Sequence, residues 1–249
     1  MSVHAYGQSR LPVAIVTGSS TGIGETIARR LSAARYAVVV NSVSTTSEGE
    51  AIAASLPNAT YVQADVADRQ QAQQLVDRAE EAYGRLDLVV NNAATTRLIP
   101  VANLDDVTDE VWHHILDVNV LGVWHMVQAA VPLLRAGGHG HILNISSFAS
   151  LRPITSSLPY AVSKAAVNHM TALLAATLGP EIRVNAVAPG FIETRWTSDW
   201  DDVRANVARR APARRPGLPD DVADACLGLV RSSYVTGCVL PVDGGLHLR

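Results

Sequence analysis

Seven short runs rich in Val, Ile and Leu recur along this chain, each separated from the next by a helical pattern. They fall at 13–17, 37–41, 60–63, 86–91, 141–145, 182–187 and 238–242. Several are almost continuously apolar, as strands covered on both faces should be. The helical candidates span 23–34, 48–55, 69–83, 108–134, 159–178, 200–210 and 220–231. Strand–helix alternation requires parallel pairing through right-handed crossovers. The expected class is therefore α/β: a doubly wound, mostly parallel seven-stranded sheet with helices on both faces. No Pro/Gly/Ser linker divides the 249 residues and no repeat is present, so 1–249 is expected to be one domain.

The first strand runs directly into Thr17-Gly18-Ser19-Ser20-Thr21-Gly22-Ile23-Gly24, and a helix follows. Glycines there permit a tight turn, backbone approach to a pyrophosphate and close packing of helix on sheet. The helix N-terminus offers N–H groups to phosphate. A purely structural turn is the competing reading. After the second strand, a dinucleotide fold places an acid for the ribose 2′-hydroxyl of NAD, or groups tolerant of a 2′-phosphate. Residues 41–47 read Asn-Ser-Val-Ser-Thr-Thr-Ser, with no acid before Glu48. This favours NADP(H) over NAD(H), although no Arg appears there; Ser42, Ser44 and their neighbours would bind phosphate or simply form a polar turn. Asp65, after the third strand, is placed to accept from an adenine amine with Val66 beside it, or to cap a helix.

Nineteen of the twenty Lys plus Arg residues are Arg, and Lys164 is the only lysine. Arg is a planar fork and Lys a compact charge, so its retention at one position suggests a site that Arg cannot serve. Tyr160 lies four residues earlier, on the same face of a helix. A phenol beside a cation becomes a usable acid or base near neutrality. A surface Tyr and a solvated Lys that happen to be four apart are the alternative.

The combination of Thr17-Gly-x-x-x-Gly-x-Gly24, Asn91-Asn-Ala93, Asn119, Ser147, Tyr160-x-x-x-Lys164, Pro189-Gly190 and Tyr234-Val-Thr-Gly237…Val242-Asp-Gly-Gly245 resembles the short-chain dehydrogenase/reductase family over almost the whole chain. The resemblance implies a Rossmann fold, NAD(P)-dependent oxidoreduction of an alcohol/carbonyl pair, and a homotetramer or homodimer. Tyr160 would be the general acid/base, and Lys164 would stabilise the tyrosinate and hold the nicotinamide ribose. Ser147, rather than Ser146, would bind the substrate oxygen. Asn119 would hold a helix open around a water that completes a proton relay. The cofactor would meet Gly18, Ser20, Thr21, Gly22, Ile23 and Gly24; Ser42 and Ser44; Asp65 and Val66; Asn91 and Ala93; Tyr160 and Lys164; and Pro189, Gly190, Ile192 and Thr194. Two positions depart from the family pattern: Ala94 stands where Gly is usual, and Arg35 stands where a Gly commonly precedes the second strand.

Residues 193–216 would form a substrate lid, with Phe191, Trp196 and Trp200 as apolar contacts or packing residues and Ala149 near the pocket. Arg97 and Arg152 read as surface charge or as partners of an acidic substrate. The expected substrate is a small carbonyl compound or secondary alcohol. A 3-oxoacyl-carrier-protein reductase is a narrower possibility, against which the acid in 178–182 counts. A non-catalytic dinucleotide-binding or redox-sensing module is the reading from a different class.

A hydrophobic content of 48% with 17% charged residues fits a buried core. The net charge of −3 gives no general attraction to nucleic acid or anionic membrane. The Arg-rich run 204–215 reads as a solvated helix face. Cys226 and Cys238 fit neither a disulfide framework nor a metal motif and point to a reducing compartment. No metal is expected, because the histidines at 113, 114, 125, 139, 141 and 169 lack ligand spacing. Residues 1–10 lack a signal-peptide core, and 118–134 is interrupted by Asn119, His125, Gln128 and Pro132, so no membrane span and a cytoplasmic location are expected.

Overall fold

In the computed structural model, which describes residues 11–249, the apolar runs form seven strands: β1 (Val13–Val16), β2 (Ala37–Ser42), β3 (Ala59–Gln63), β4 (Leu88–Asn91), β5 (Gly140–Ile145), β6 (Ile182–Pro189) and β7 (Val239–Val242). The reading of residues 1–10 lies outside the described residues. All strand pairs are parallel, in the order β3-β2-β1-β4-β5-β6-β7. The helices are α1 (Gly22–Ala33), α2 (Thr46–Ser55), α3 (Arg69–Tyr83), α4 (Asp109–Leu116), α5 (Gly122–Ala136), α6 (Leu158–Leu178), α7 (Asp201–Arg210) and α8 (Pro219–Arg231).

Strand side chains alternate between two cores, which is why the runs carry few polar interruptions. Val13 and Ile15 join one core with α3, α5 and α6 residues such as Leu75, Met126 and Val167. Ala14 and Val16 face the other, with Ile27 and Leu31 of α1 and Val222 and Cys226 of α8. The strand order reverses between β1 and β4, and in an open α/β sheet the ligand crevice lies at that point, beyond the carboxyl ends of the strands.

The helix expected over 108–134 is interrupted. A π-helical turn at Asp117–Leu121 separates α4 from α5 and buries Asn119. By length and composition alone the 28-residue run Asp109–Ala136 is long and apolar enough to cross a membrane. In this fold its Val123, Met126, Val127, Ala130 and Leu134 instead pack into the sheet core. Both cysteines are free thiols, and burial pushes the Cys226 thiol up to about 12, leaving it unreactive.

Candidate active site

The turn after β1 is held from several sides. Gly18 and Gly22 have φ of +60° and +59°, a region that L side chains rarely adopt. A Cβ at Gly18 would lie 2.9 Å from the Ala93 Cα, and one at Gly24 would lie 2.5 Å from the Asn92 Nδ2. Asn92 donates from Nδ2 to the carbonyls of Thr17 and Gly18, both at 2.9 Å. Thr17 Oγ1 accepts from the Asn92 and Ala93 N–H groups at 3.0 Å. Asn41 Oδ1 accepts from the Gly18 N–H at 3.1 Å. Helix α1 begins at Thr21 without a side-chain cap, leaving its first-turn N–H groups facing this cradle. A side-chain-free turn leading into an uncapped helix start fits a dinucleotide pyrophosphate. Ile23 packs its side chain into the core and offers only backbone to the cradle.

Several other expected cofactor-binding residues have protein partners of their own. Asn91 is 3% exposed, and its amide donates to Asn144 Oδ1 at 2.9 Å inside the sheet. Asn92, one residue on and therefore on the opposite side, is the one that braces the glycine turn. The Ser42 hydroxyl is buried against Thr45 O (3.1 Å) and Tyr61 Oη (2.8 Å), whereas Ser44 is exposed. The Val66 side chain is buried in the core, where a Cβ at Gly122 would meet its Cγ2 at 2.7 Å. Asp65 accepts from the Ala67 N–H at 2.9 Å in a local turn. The cap of α3 is Asp68, which takes the N–H groups of Gln70 and Gln71. Ser20 Oγ lies 2.5 Å from Thr45 Oγ1, joining the glycine turn to the loop after β2.

At the other end, β5 delivers Ser147. Its Oγ accepts from the Ala149 N–H at 3.1 Å, which leaves its own proton free to donate. Ser146 is buried, with its hydroxyl on Ser150 Oγ and the Lys164 carbonyl, both at 3.3 Å. Tyr160 and Lys164 lie one turn apart on α6, with Lys164 Nζ 5.8 Å from the Tyr160 ring centroid. Lys164 is 3% exposed and donates to the Ile145 carbonyl at 2.8 Å. Burial pushes its ammonium down to about 8. Burial also raises the Tyr160 phenol above its ordinary value, opposed by the Ser147 hydroxyl.

Asn119 donates from Nδ2 to Thr95 O and Ser163 Oγ, both at 3.0 Å, and accepts from the Thr95 N–H at 2.8 Å. Its side chain pins the loop after β4 to α6 through both amide hydrogens and one lone pair of its oxygen. Ala94 and its neighbours carry no left-handed strain. Among the described residues only Arg35 and Arg214 combine a side chain with positive φ, so Ala94 occupies a backbone conformation open to any L residue.

Beyond β6, a Cβ at Gly190 would meet the Asp243 Cα at 2.8 Å, so Pro189-Gly190 passes directly over the C-terminal Val242-Asp-Gly motif. Ile192 is buried and pairs with Gly217. The Thr194 side chain sits against Gly22, where an added Cβ would meet its Cγ2 at 3.4 Å. Phe191 packs with Phe148, Val207, Ala211 and Leu246, and its ring lies 6.4 Å from that of Trp200. Trp196 is half exposed and stands outside this cluster, contrary to a three-residue apolar contact. Ala149 is partly exposed beside Ser147. Arg152 donates to the His247 carbonyl at 2.7 Å and Arg97 is exposed. In the Arg-rich run, Arg204 meets Glu193 at 3.2 Å and Arg215 meets Asp221 at 2.7 Å, as a solvated face would. The described residues contain no cluster of His, Cys, Asp and Glu able to hold a metal ion.

Residues 18–247 match a family model described as enoyl-(acyl carrier protein) reductase. A protein described as a ketoacyl reductase of the granaticin polyketide synthase of Streptomyces violaceoruber is 55% identical over 240 residues, 95% of this chain and 96% of the relative. The 3-oxoacyl-[acyl-carrier-protein] reductase of Thermotoga maritima is 37% identical over 242 residues, 94% of this chain and 97% of that protein. Among solved structures, a gluconate 5-dehydrogenase from Burkholderia cenocepacia in complex with NADP and tartrate superposes with a TM-score of 0.87 at 34% identity, covering 96% of each chain. Likeness at this level over nearly the full length identifies the chain as a member of the short-chain dehydrogenase/reductase family, an NAD(P)-dependent oxidoreductase acting on CH–OH and keto groups.

Proposed function

We propose that the chain is an NADPH-dependent ketone reductase whose substrate is a ketoacyl compound of the polyketide type, with Tyr160 as proton donor. The observation that carries the reading is the convergence of Ser147, Tyr160 and the buried, unique Lys164 at the carboxyl end of β5. The bound nicotinamide supplies the hydride. Ser147, its Oγ already accepting from Ala149, donates to the substrate oxygen as negative charge develops there. Tyr160 then gives up its phenolic proton to that oxygen. Burial keeps the phenol protonated at neutral pH, which suits reduction. Lys164, charged below about pH 8, faces the phenolate that forms. Asn119 acts by holding the Thr95 loop against α6.

Ser147, Tyr160 and Lys164 are thus the proposed reacting residues, and Gly18, Ser20, Thr21, Gly22, Ile23, Gly24, Ala93, Pro189, Gly190, Ile192 and Thr194 the proposed cofactor cradle. Residues 193–216 are the proposed lid. The missing acid in 41–47 and the paired hydroxyls of Ser20 and Thr45 support NADP(H) over NAD(H). The ketoacyl assignment draws on the 55%-identical relative. The acid that counted against a carrier-linked substrate, Glu181, lies 3.3 Å from Arg135 in an exposed pair. A homotetramer in the cytoplasm is part of the same proposal.

The test is NADPH oxidation over a panel of 3-ketoacyl thioesters, diketones and simple ketones. Tyr160→Phe is expected to lower turnover by at least about a thousandfold while NADPH binding persists. Turnover retained in that variant would remove Tyr160 from the reaction, and inactivity on every ketoacyl thioester would remove the substrate class.

A further inference from the structure

The loop after β2 contains no cation to meet a 2′-phosphate, and the first acid beyond it, Glu48, stands in the first turn of α2. The structure brings a cation to this place from the other side of the crevice. Arg195 follows Thr194, the residue that sits against Gly22 of the phosphate turn. From there its Nη1 reaches to 3.7 Å from Glu48 Oε1. The guanidinium therefore crosses from the segment after β6 to the start of α2. Close by, Ser20 and Thr45 join their hydroxyls at 2.5 Å.

The contact is longer than a hydrogen bond, and the two side chains are 77% and 46% exposed. An exposed pair of this kind contributes little, so either partner can exchange it at small cost. A phosphate dianion offers a guanidinium fork more charge and two-point geometry, which a single carboxylate oxygen at 3.7 Å does not.

We propose that Arg195 is the residue that recognises the 2′-phosphate of NADP(H), delivered by the lid segment, and that Glu48 holds the guanidinium in place until the phosphate displaces it. The proposal rests on the NADP(H) preference put forward above, and adds to it the residue responsible and a coupling between cofactor choice and lid position. Glu48 is a placeholder that opposes the phosphate, so its removal strengthens binding.

Binding is measured by calorimetry on the full chain with NADPH, NADH, adenosine 2′,5′-bisphosphate and adenosine 5′-monophosphate, without substrate. For Arg195→Ala, affinity for NADPH and the bisphosphate is expected to fall roughly 10- to 100-fold, the range for loss of charge-assisted hydrogen bonds. NADH and the monophosphate should stay within about twofold, as befits loss of an exposed ion pair alone. Arg195→Lys should recover part of the loss, and Glu48→Gln should tighten NADPH by a few-fold. A wild type that prefers NADPH while Arg195→Ala leaves its affinity unchanged, or weakens NADPH and NADH equally, would overturn the role of Arg195 and leave the preference standing. A wild type that binds NADH more tightly would overturn the preference itself.

Discussion

Replacing Lys164 by Met should make the protein more stable while abolishing its activity. The ammonium is 3% exposed, and the cause of its lowered pKa is burial, with no carboxylate among the described residues to compensate. A fall from the ordinary 10.5 to about 8, at about 1.4 kcal/mol for each pH unit, means that the charged lysine costs the native state about 3 kcal/mol. Met fills a similar volume without the charge. It forgoes the hydrogen bond to the Ile145 carbonyl, worth about 1 kcal/mol. The net expectation at pH 7 is a gain of about 2 kcal/mol. Between about pH 8 and 10.5 the unfolded chain keeps a proton that the native lysine has lost, so wild-type stability rises with pH in that window relative to the variant. The difference should therefore be constant well below pH 8, pass through zero near about pH 9.5 and reverse, to about 1 kcal/mol in favour of the wild type, above about pH 10.5. Urea unfolding of both proteins at several pH values measures it. A variant less stable than wild type at pH 7, or a difference that does not change with pH, would refute the reasoning.

Three further outcomes follow from single residues. Arg35 holds φ of 68° in the turn before β2, so Arg35→Gly should raise stability by about 1 kcal/mol, read as a higher melting temperature; a lower one would show that the side chain contributes more than the strain costs. Burial, aided by Arg183, pushes His141 down to about 3. The unfolded chain then binds a proton below about pH 6.5 that the native state refuses, so wild-type stability should fall by about 2 kcal/mol between pH 6.5 and 5 relative to His141→Gln; parallel pH profiles in denaturant would contradict this. At Gly24 a methyl would meet the Gly18 carbonyl and the Asn92 amide, so Gly24→Ala should cost about 1–3 kcal/mol and weaken dinucleotide binding, and normal binding by titration would show that the cradle can give way.

Most of the fold was legible because its signals are local and repetitive. Strands buried on both faces must be apolar at every position, and helices laid across them must carry a stripe, so boundaries fell within a few residues throughout. The π turn at Asp117–Leu121 was not legible: one extra residue in a helical turn barely disturbs the apolar spacing of 108–134. The site was legible at its reactive end and less so in its bracing. Adjacent Asn91 and Asn92 read as one motif, yet strand alternation sends the first into the sheet and the second to the glycine turn. That signal was available in the sequence, because only one of two neighbours at a strand end can face the crevice. Asp65 and Asp68 differ by three residues, and only the hydrogen bonds to Gln70 and Gln71 decide which one caps α3. Arg195 carried no signal at all, since its meeting with Glu48 joins segments far apart in the chain.

The bracing also explains why the lone lysine stays without a counter-ion. The side chains that brace the glycine turn, the Thr95 loop and the Ser147 turn are neutral: Asn41 and Asn92 at the first, Asn119 and Ser163 at the second, Ser146 and Ser150 at the third. Amides and hydroxyls can hold backbone rigidly without adding charge to a desolvated region. A carboxylate used for the same purpose near Lys164 would have stabilised the ammonium, raised its pKa and quenched its field. Built from amides and hydroxyls, the scaffold leaves a buried positive charge whose one hydrogen bond among the described residues goes to the Ile145 carbonyl. Such a charge is costly in the resting protein and becomes favourable when negative charge forms beside it, as the proposed proton transfer from Tyr160 would bring about. A planar guanidinium would need more donors satisfied in the same space, so this chain, which uses Arg at every other basic position, keeps its one Lys where the charge must be compact and unpaired.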